Sequence, residues 1–104
     1  MITNYSMITA QEAKQIMDNE DVVIMDVRTK DEYDQGHIKD SLLLPLDQLD
    51  DNAEEKVPDK SKKILVYCRS GVRSATAAHK LLNMGYTNIH NFGGIIDWPY
   101  EIDK

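Results

Sequence analysis

The chain has 104 residues, 41% of them hydrophobic and 29% charged, the composition of a folded globular protein and not of a disordered or fibrous one. Eighteen acidic residues against twelve basic ones leave a net charge of −6, which argues against a nucleic-acid binder or an anionic-membrane surface. One cysteine excludes an internal disulfide, and no apolar run approaches the ~20 residues of a membrane helix.

The N-terminus, MITNYSMITA, lacks a basic stretch followed by an apolar core, so no secretory signal is expected and a reducing cytoplasm is the expected location. Residues 1–7 are expected to be a loose segment, with Met1 and Met7 both compatible with the start. A single domain over residues 8–104 follows. Thr9-Ala10-Gln11-Glu12 has the form of a capping box and predicts a helix through about Asp18, with Ala13, Ile16 and Met17 on its buried stripe. The apolar run at residues 22–25, ending at Asp26, suits a strand buried on both faces. Thr29-Lys30-Asp31-Glu32 is a second capping box, opening a short helix that Gly36 would end. Residues 41–44 read as another strand, stopped by Pro45. Leu46 and Leu49 suggest a short inward-facing turn of helix. The polar stretch from Asp50 to Lys63 reads as a surface connection.

Residues 64–67, ILVY, form the clearest strand. A helix is predicted from Arg73 to Met84, with Ala77, Ala78, Leu81 and Leu82 on one stripe and Gly85 at a left-handed C-cap. Residues 88–92 are a further strand before Gly93-Gly94, and the closing segment carries Trp98 and Pro99. Buried strands alternating with helices favour an α/β fold with a mainly parallel sheet, whose ligand sites lie beyond the carboxyl ends of its strands. Cys68 falls at such an end.

The segment Cys68-Arg69-Ser70-Gly71-Val72-Arg73-Ser74 therefore joins the best strand to the best helix. Backbone N–H groups in such a turn can converge on one point, and the first amides of a helix lack intrahelical partners. The helix dipole and the arginines add positive charge, and Gly71 permits backbone angles denied to other residues. A thiol held there ionises more readily, and the same field attracts an anionic substrate. Ser70 and Ser74 can add hydrogen bonds. A lone cysteine ending a buried strand is commonly just a small core hydrophobe. The flanking arginines count against that reading, since beside a buried structural thiol each would need a partner or solvent.

Further segments match in order: Asp26-Val27-Arg28, Glu32-Tyr33, Gly36-His37-Ile38, Leu44-Pro45, the loop from Tyr67 to Ser74, Gly85-Tyr86, and Gly93-Gly94-Ile95-Ile96-Asp97-Trp98. Together they resemble the rhodanese family over about residues 8–100. The loop and the Gly-Gly-x-x-x-Trp end are the specific parts. One departure is Lys39-Asp40-Ser41, where the family often has a glycine before a small residue. The resemblance implies a three-layer domain with a central, mainly parallel sheet of about five strands flanked by helices. It also implies a sulfurtransferase: Cys68 takes the outer sulfur of a donor such as thiosulfate as a persulfide and passes it to a thiol, or to cyanide. Protein or small persulfides fit equally as donors, and thioredoxin-like proteins or small thiols as acceptors.

A non-catalytic binding or regulatory module of the same family is the alternative, followed by a phosphatase-like or arsenate-reductase-like enzyme. In the phosphatase pattern an arginine stands six residues after the cysteine. Here Ser74 holds that position and Arg73 lies one residue earlier, so the loop is one residue too short. Asp26 and Arg28 are expected to support the loop, for example through an ion pair of Arg28 with Glu32. His37 is expected to bond a backbone group, Trp98 to anchor the core and Asp97 to be solvated. Arg73 is expected to brace the loop and Arg69 to face the donor. Cys68, His37, His79 and His90 lack metal-ligand spacing, so neither metal nor cofactor is expected.

Overall fold

The computed structural model describes residues 4–104. Its centre is a five-stranded sheet in the order β1-β6-β5-β2-β4, parallel throughout, formed by β1 Asn4–Met7, β2 Val23–Asp26, β4 Leu42–Leu43, β5 Ile64–Cys68 and β6 Asn88–Gly94. A two-residue strand β3, His37–Ile38, pairs antiparallel with β7, Ile102–Asp103. The helices are α1 Ala10–Asn19, α2 Lys30–Gln35, α3 Leu49–Lys56 and α4 Val72–Asn83, with short 3-10 turns at Leu46–Gln48 and Ile95–Asp97. None is long and apolar enough to cross a membrane among the described residues.

The two-residue period of β5 divides the core. Ile64, Val66 and Cys68 face one side, where they pack with Leu49 and Ala53 of α3 and Ala77, Ala78 and Leu81 of α4. Leu65 and Tyr67 face the other, against Ala13 of α1 with Ile24, Phe92 and the partly buried Trp98. All five residues of β5 are buried, as its unbroken apolar run requires. Both capping boxes form, at Thr9–Glu12 and Thr29–Glu32. The helix predicted from Arg73 closes at Gly85, φ +99°, where Tyr86 N–H donates to the Leu81 carbonyl and Gly85 N–H to that of Leu82, the Schellman pattern.

Four features depart from the sequence reading. Asn4–Met7 is not loose: it is edge strand β1, hydrogen-bonded to β6 along its length, while Met1–Thr3 lie outside the described residues. The polar stretch after Leu49 opens with helix α3, because Leu49, Ala53 and Val57 recur every four residues beneath its acidic face and are buried. Strands β3 and β7 went unread because two residues each carry no periodicity. Asp40, in the family's glycine position, adopts φ +67°, at the third position of a turn closed by Ser41 N–H donating to the Ile38 carbonyl. The backbone turn survives, although a residue other than glycine now bears the left-handed geometry.

Candidate active site

Strands β2 and β5 are neighbours and end together, which gathers Asp26, Arg28 and Cys68 at one edge of the sheet. From Cys68 the chain turns through Arg69 and Ser70 to Gly71, φ +109°, and enters α4 at Val72. That positive φ aims the Gly71 amide back at the sulfur, and its N–H donates to Cys68 Sγ at 3.0 Å. The Ser74 hydroxyl, one turn into the helix, lies 3.6 Å from Sγ. Burial pushes the thiol up, but the Ser74 hydroxyl and the amides of Ser74, Gly71 and Ser70 outweigh it and hold the thiol below its ordinary value. Cys68 is only 1% exposed, yet its surroundings are polar and donor-rich on the loop side. Arg69, Ser70 and Val72 are the exposed residues of the loop.

The loop rests on the end of β6. One extra residue there shifts the register, from Val66 opposite Asn91 to Cys68 opposite Gly94. A methyl group at Gly94 would overlap the backbone of Arg69 and Ser70, so only glycine allows this seat. Ile96 N–H then donates to the Arg69 carbonyl at 3.3 Å. The Gly-Gly pair, legible in the sequence as a family mark, is physically the floor under the loop.

Asn91 stands at the start of the bulge, fully buried. Its Oδ1 accepts Gly93 N–H at 2.9 Å and the Ser74 hydroxyl at 2.9 Å. Those two donors fix the amide's orientation and leave Nδ2 without a hydrogen-bond partner among the described residues. An unsatisfied buried donor costs about 1–3 kcal/mol. Sequence reading passed over Asn91, since nothing in the order of residues places it beside Ser74.

The arginines divide sharply. Arg73 forms a two-pronged pair with Glu32 of α2, at 2.6 and 2.9 Å, and that guanidinium holds the Glu32 carboxyl down at about 2. Arg28 does not meet Glu32 as expected. It pairs with Asp26 at 2.7 Å and donates to the Gly36 carbonyl, because both Asp26 and Arg28 are buried at the end of β2 and satisfy each other there. Tyr67 donates its hydroxyl to Asp26 at 2.6 Å and accepts Ile38 N–H. Asp26 and Tyr67 belong to the α1 face of the sheet, so this network braces the strand ends from behind the thiol. Arg69 is exposed and makes no ion pair with any described residue. It borders an open cleft of about 310 Å³, together with Arg28, Glu32, Ile95, Ile96 and Ile102.

The histidines make contacts of their own away from the loop. His37 stacks on Tyr33 and its Nδ1 meets the Tyr33 carbonyl at 3.0 Å, the backbone role expected of it. His79 lies against Tyr5, and His90 is held between Ser6 and Asn88. A second depression of about 230 Å³ lies on the α1 face by Lys14, Trp98 and Tyr100, and no residue of the Cys68 loop lines it. No group of three or more potential metal ligands occurs among the described residues.

A family model for the rhodanese-like domain matches residues 9–99. The thiosulfate sulfurtransferase GlpE of Coxiella burnetii is 35% identical, over 90% of this chain and 87% of its own length. A sulfurtransferase of Allochromatium vinosum is 40% identical, over 83% of this chain and 79% of its own. Among solved structures, a rhodanese with anions from E. coli superposes with a TM-score of 0.76 at 33% identity, covering 81% of this chain and 99% of that one. Fold and matched length agree, and the chain belongs to the rhodanese family.

Proposed function

We propose that the protein is a sulfurtransferase of the thiosulfate:thiol type and that Cys68 carries the sulfur as a persulfide. The observation that carries this reading is the Gly71 amide donating to Sγ at 3.0 Å from the turn into α4, which supports the sulfur as an anion. In the first half-reaction the Cys68 thiolate attacks the outer sulfur of thiosulfate. The new S–S bond forms as the bond to the sulfonate sulfur breaks, and sulfite departs with the electron pair. In the second, an acceptor thiolate attacks the outer sulfur of the persulfide and leaves carrying it, restoring the Cys68 thiolate; cyanide attacking in the same way leaves as thiocyanate. One covalent intermediate shared by two half-reactions gives ping-pong kinetics.

The loop amides of Ser70, Gly71 and Ser74 stabilise the charge on sulfur, first on the thiolate and then on the persulfide. Arg69, exposed and without an ion-pair partner among the described residues, attracts the donor's sulfonate. Arg73 braces the loop through Glu32, and Asp26 and Arg28 support it from behind. Ile96, 58% exposed, and Ile102 line the cleft beside Arg69, and Val72, 74% exposed, adds an apolar side chain on the loop itself. That rim suits an acceptor thiol presented on a protein surface, thioredoxin-like in its exposed cysteine. A single reactive thiol fits a reducing compartment such as the cytoplasm. The intact nucleophile and its donors count against a purely binding role. Arg73, committed to Glu32 and one residue early, counts against phosphoryl transfer.

Mass spectrometry after exposure to thiosulfate tests the reading. The protein is expected to gain one sulfur atom, reversed by an added thiol, and Cys68→Ser is expected to gain none. An unmodified Cys68 with thiosulfate and with small persulfides alike returns the protein to the binding class.

A further inference from the structure

The Ser74 hydroxyl has one proton and several claimants. Its oxygen sits 2.9 Å from Asn91 Oδ1, 3.0 Å from the Gly71 carbonyl, 3.5 Å from the Gly93 carbonyl and 3.6 Å from Cys68 Sγ, and the Asn91 contact is the shortest. In the neutral thiol, the S–H faces the Ser74 oxygen and the Ser74 O–H is available to Asn91. In the thiolate, sulfur is an acceptor only, and the Ser74 O–H must turn to it and leave Asn91. Asn91 cannot answer by turning its amide round, because Gly93 N–H donates to Oδ1 at 2.9 Å and would then face Nδ2. The amide is thus locked with its acceptor toward Ser74, and its own donor, in a fully buried position, has no partner among the described residues. An aliphatic side chain would avoid that cost, though it would leave Gly93 N–H without this acceptor.

We propose that Asn91 is a positioning residue for the nucleophile, setting how readily Cys68 ionises by competing with its sulfur for the hydroxyl proton of Ser74. The competition also provides for the covalent stage. Once the outer sulfur carries the negative charge, the inner sulfur needs no donor and the Ser74 hydroxyl returns to Asn91. The charged groups about the sulfur are Arg69 and Arg73 of the loop, with Glu32 of α2 behind Arg73 and Asp26 and Arg28 at the end of β2; at the bulge, β6 presents only the neutral Asn91, Gly93 and Gly94. Asn91 therefore acts through a hydrogen bond alone.

The inference rests on Cys68 being the sulfur carrier, but its test does not use sulfur transfer. The lone cysteine makes the ultraviolet absorbance of the thiolate a direct readout of its titration. Asn91→Leu removes the nearest competitor for the Ser74 proton, leaving the Gly71 carbonyl at 3.0 Å, and is expected to raise the ionisation constant severalfold, up to about tenfold, the worth of one ordinary hydrogen bond. Ser74→Ala is expected to lower it. In the Ser74→Ala background, Asn91→Leu is expected to do nothing further. An unchanged titration in Asn91→Leu, or the same change with and without Ser74, overturns the proposal; the latter is what a residue that merely holds the bulge would give. The folded wild-type protein supplies a second measurement that needs no substitution at Asn91. The NMR shift of the Asn91 side-chain carbonyl carbon is expected to follow the thiol titration, and to stop following it in Ser74→Ala. A carbonyl that ignores the titration overturns the proposal as well, while persulfide formation, measured separately, stands or falls on its own.

Discussion

Arg69 and Arg73 lie four residues apart and carry the same charge, yet the structure gives them different work. Arg73 spends its guanidinium on Glu32, while Arg69 faces solvent at the cleft. Losing a charge-assisted contact to the donor costs about 1.5–3 kcal/mol, roughly a ten- to hundredfold rise in the thiosulfate KM for Arg69→Ala with kcat little altered. Arg73→Ala is expected to lower thermal stability and kcat instead, since it unties the loop. Steady-state kinetics on the two variants separate these outcomes, and an unchanged KM in Arg69→Ala removes its role with the donor. The thiol, the loop and the solvent-facing Arg69 were legible as residues because their chemistry is local. The partner of Arg28 was not: Glu32 is as near in sequence as any ladder of helix charges would suggest, but burial at the end of β2 leaves Asp26 as the available carboxylate.

Helix α2 holds the loop through its first turn. Thr29 caps it, Glu32 answers the cap, and the same Glu32 carboxylate holds Arg73 forty-one residues on. Its carboxyl sits at about 2 in the folded protein against an ordinary 4.5, chiefly because Arg73 hydrogen-bonds to it. A depressed carboxyl value stabilises the fold above the ordinary value and loses that contribution as the pH falls through the depressed one. Glu32→Gln is therefore expected to lower Tm at neutral pH by roughly 2–6 °C, the scale of a partly exposed two-pronged pair in a small domain. The gap from wild type should close between pH 4.5 and about 2, as scanning calorimetry across that range would show. A gap that persists at the acid end would mean the substitution acts through the cap and not through Arg73. Elements whose signal lies within their own residues, such as the capped helices and β5, were readable in advance. Strand β1 was not, because residues 4–7, NYSM, alternate too weakly to stand out, and their partner β6 lies 84 residues away.

At the scale of the whole molecule, one sheet serves two cores. Cys68 closes the core under α3 and α4, and Trp98 packs against the core under α1. The chain has one cysteine and one tryptophan, so each core carries its own reporter. A 104-residue protein whose two cores share every central strand is expected to unfold in one step. Thermal midpoints from Trp98 fluorescence and from Cys68 labelling by a thiol reagent should coincide. A lower midpoint for labelling would show that the α4 side opens first. The order of residues was enough for the α/β class, the capped helices, the buried parallel strands and the thiol-bearing loop, because each depends on periodicity or on contacts a few residues apart. Which carboxylates Arg28 and Arg73 meet, why Gly94 must lie under the loop, and the bond between Ser74 and Asn91 came only from the folded arrangement. Those pairings join residues that the sheet brings together across long stretches of chain, where burial and the accounting of every hydrogen-bonding group choose the partner.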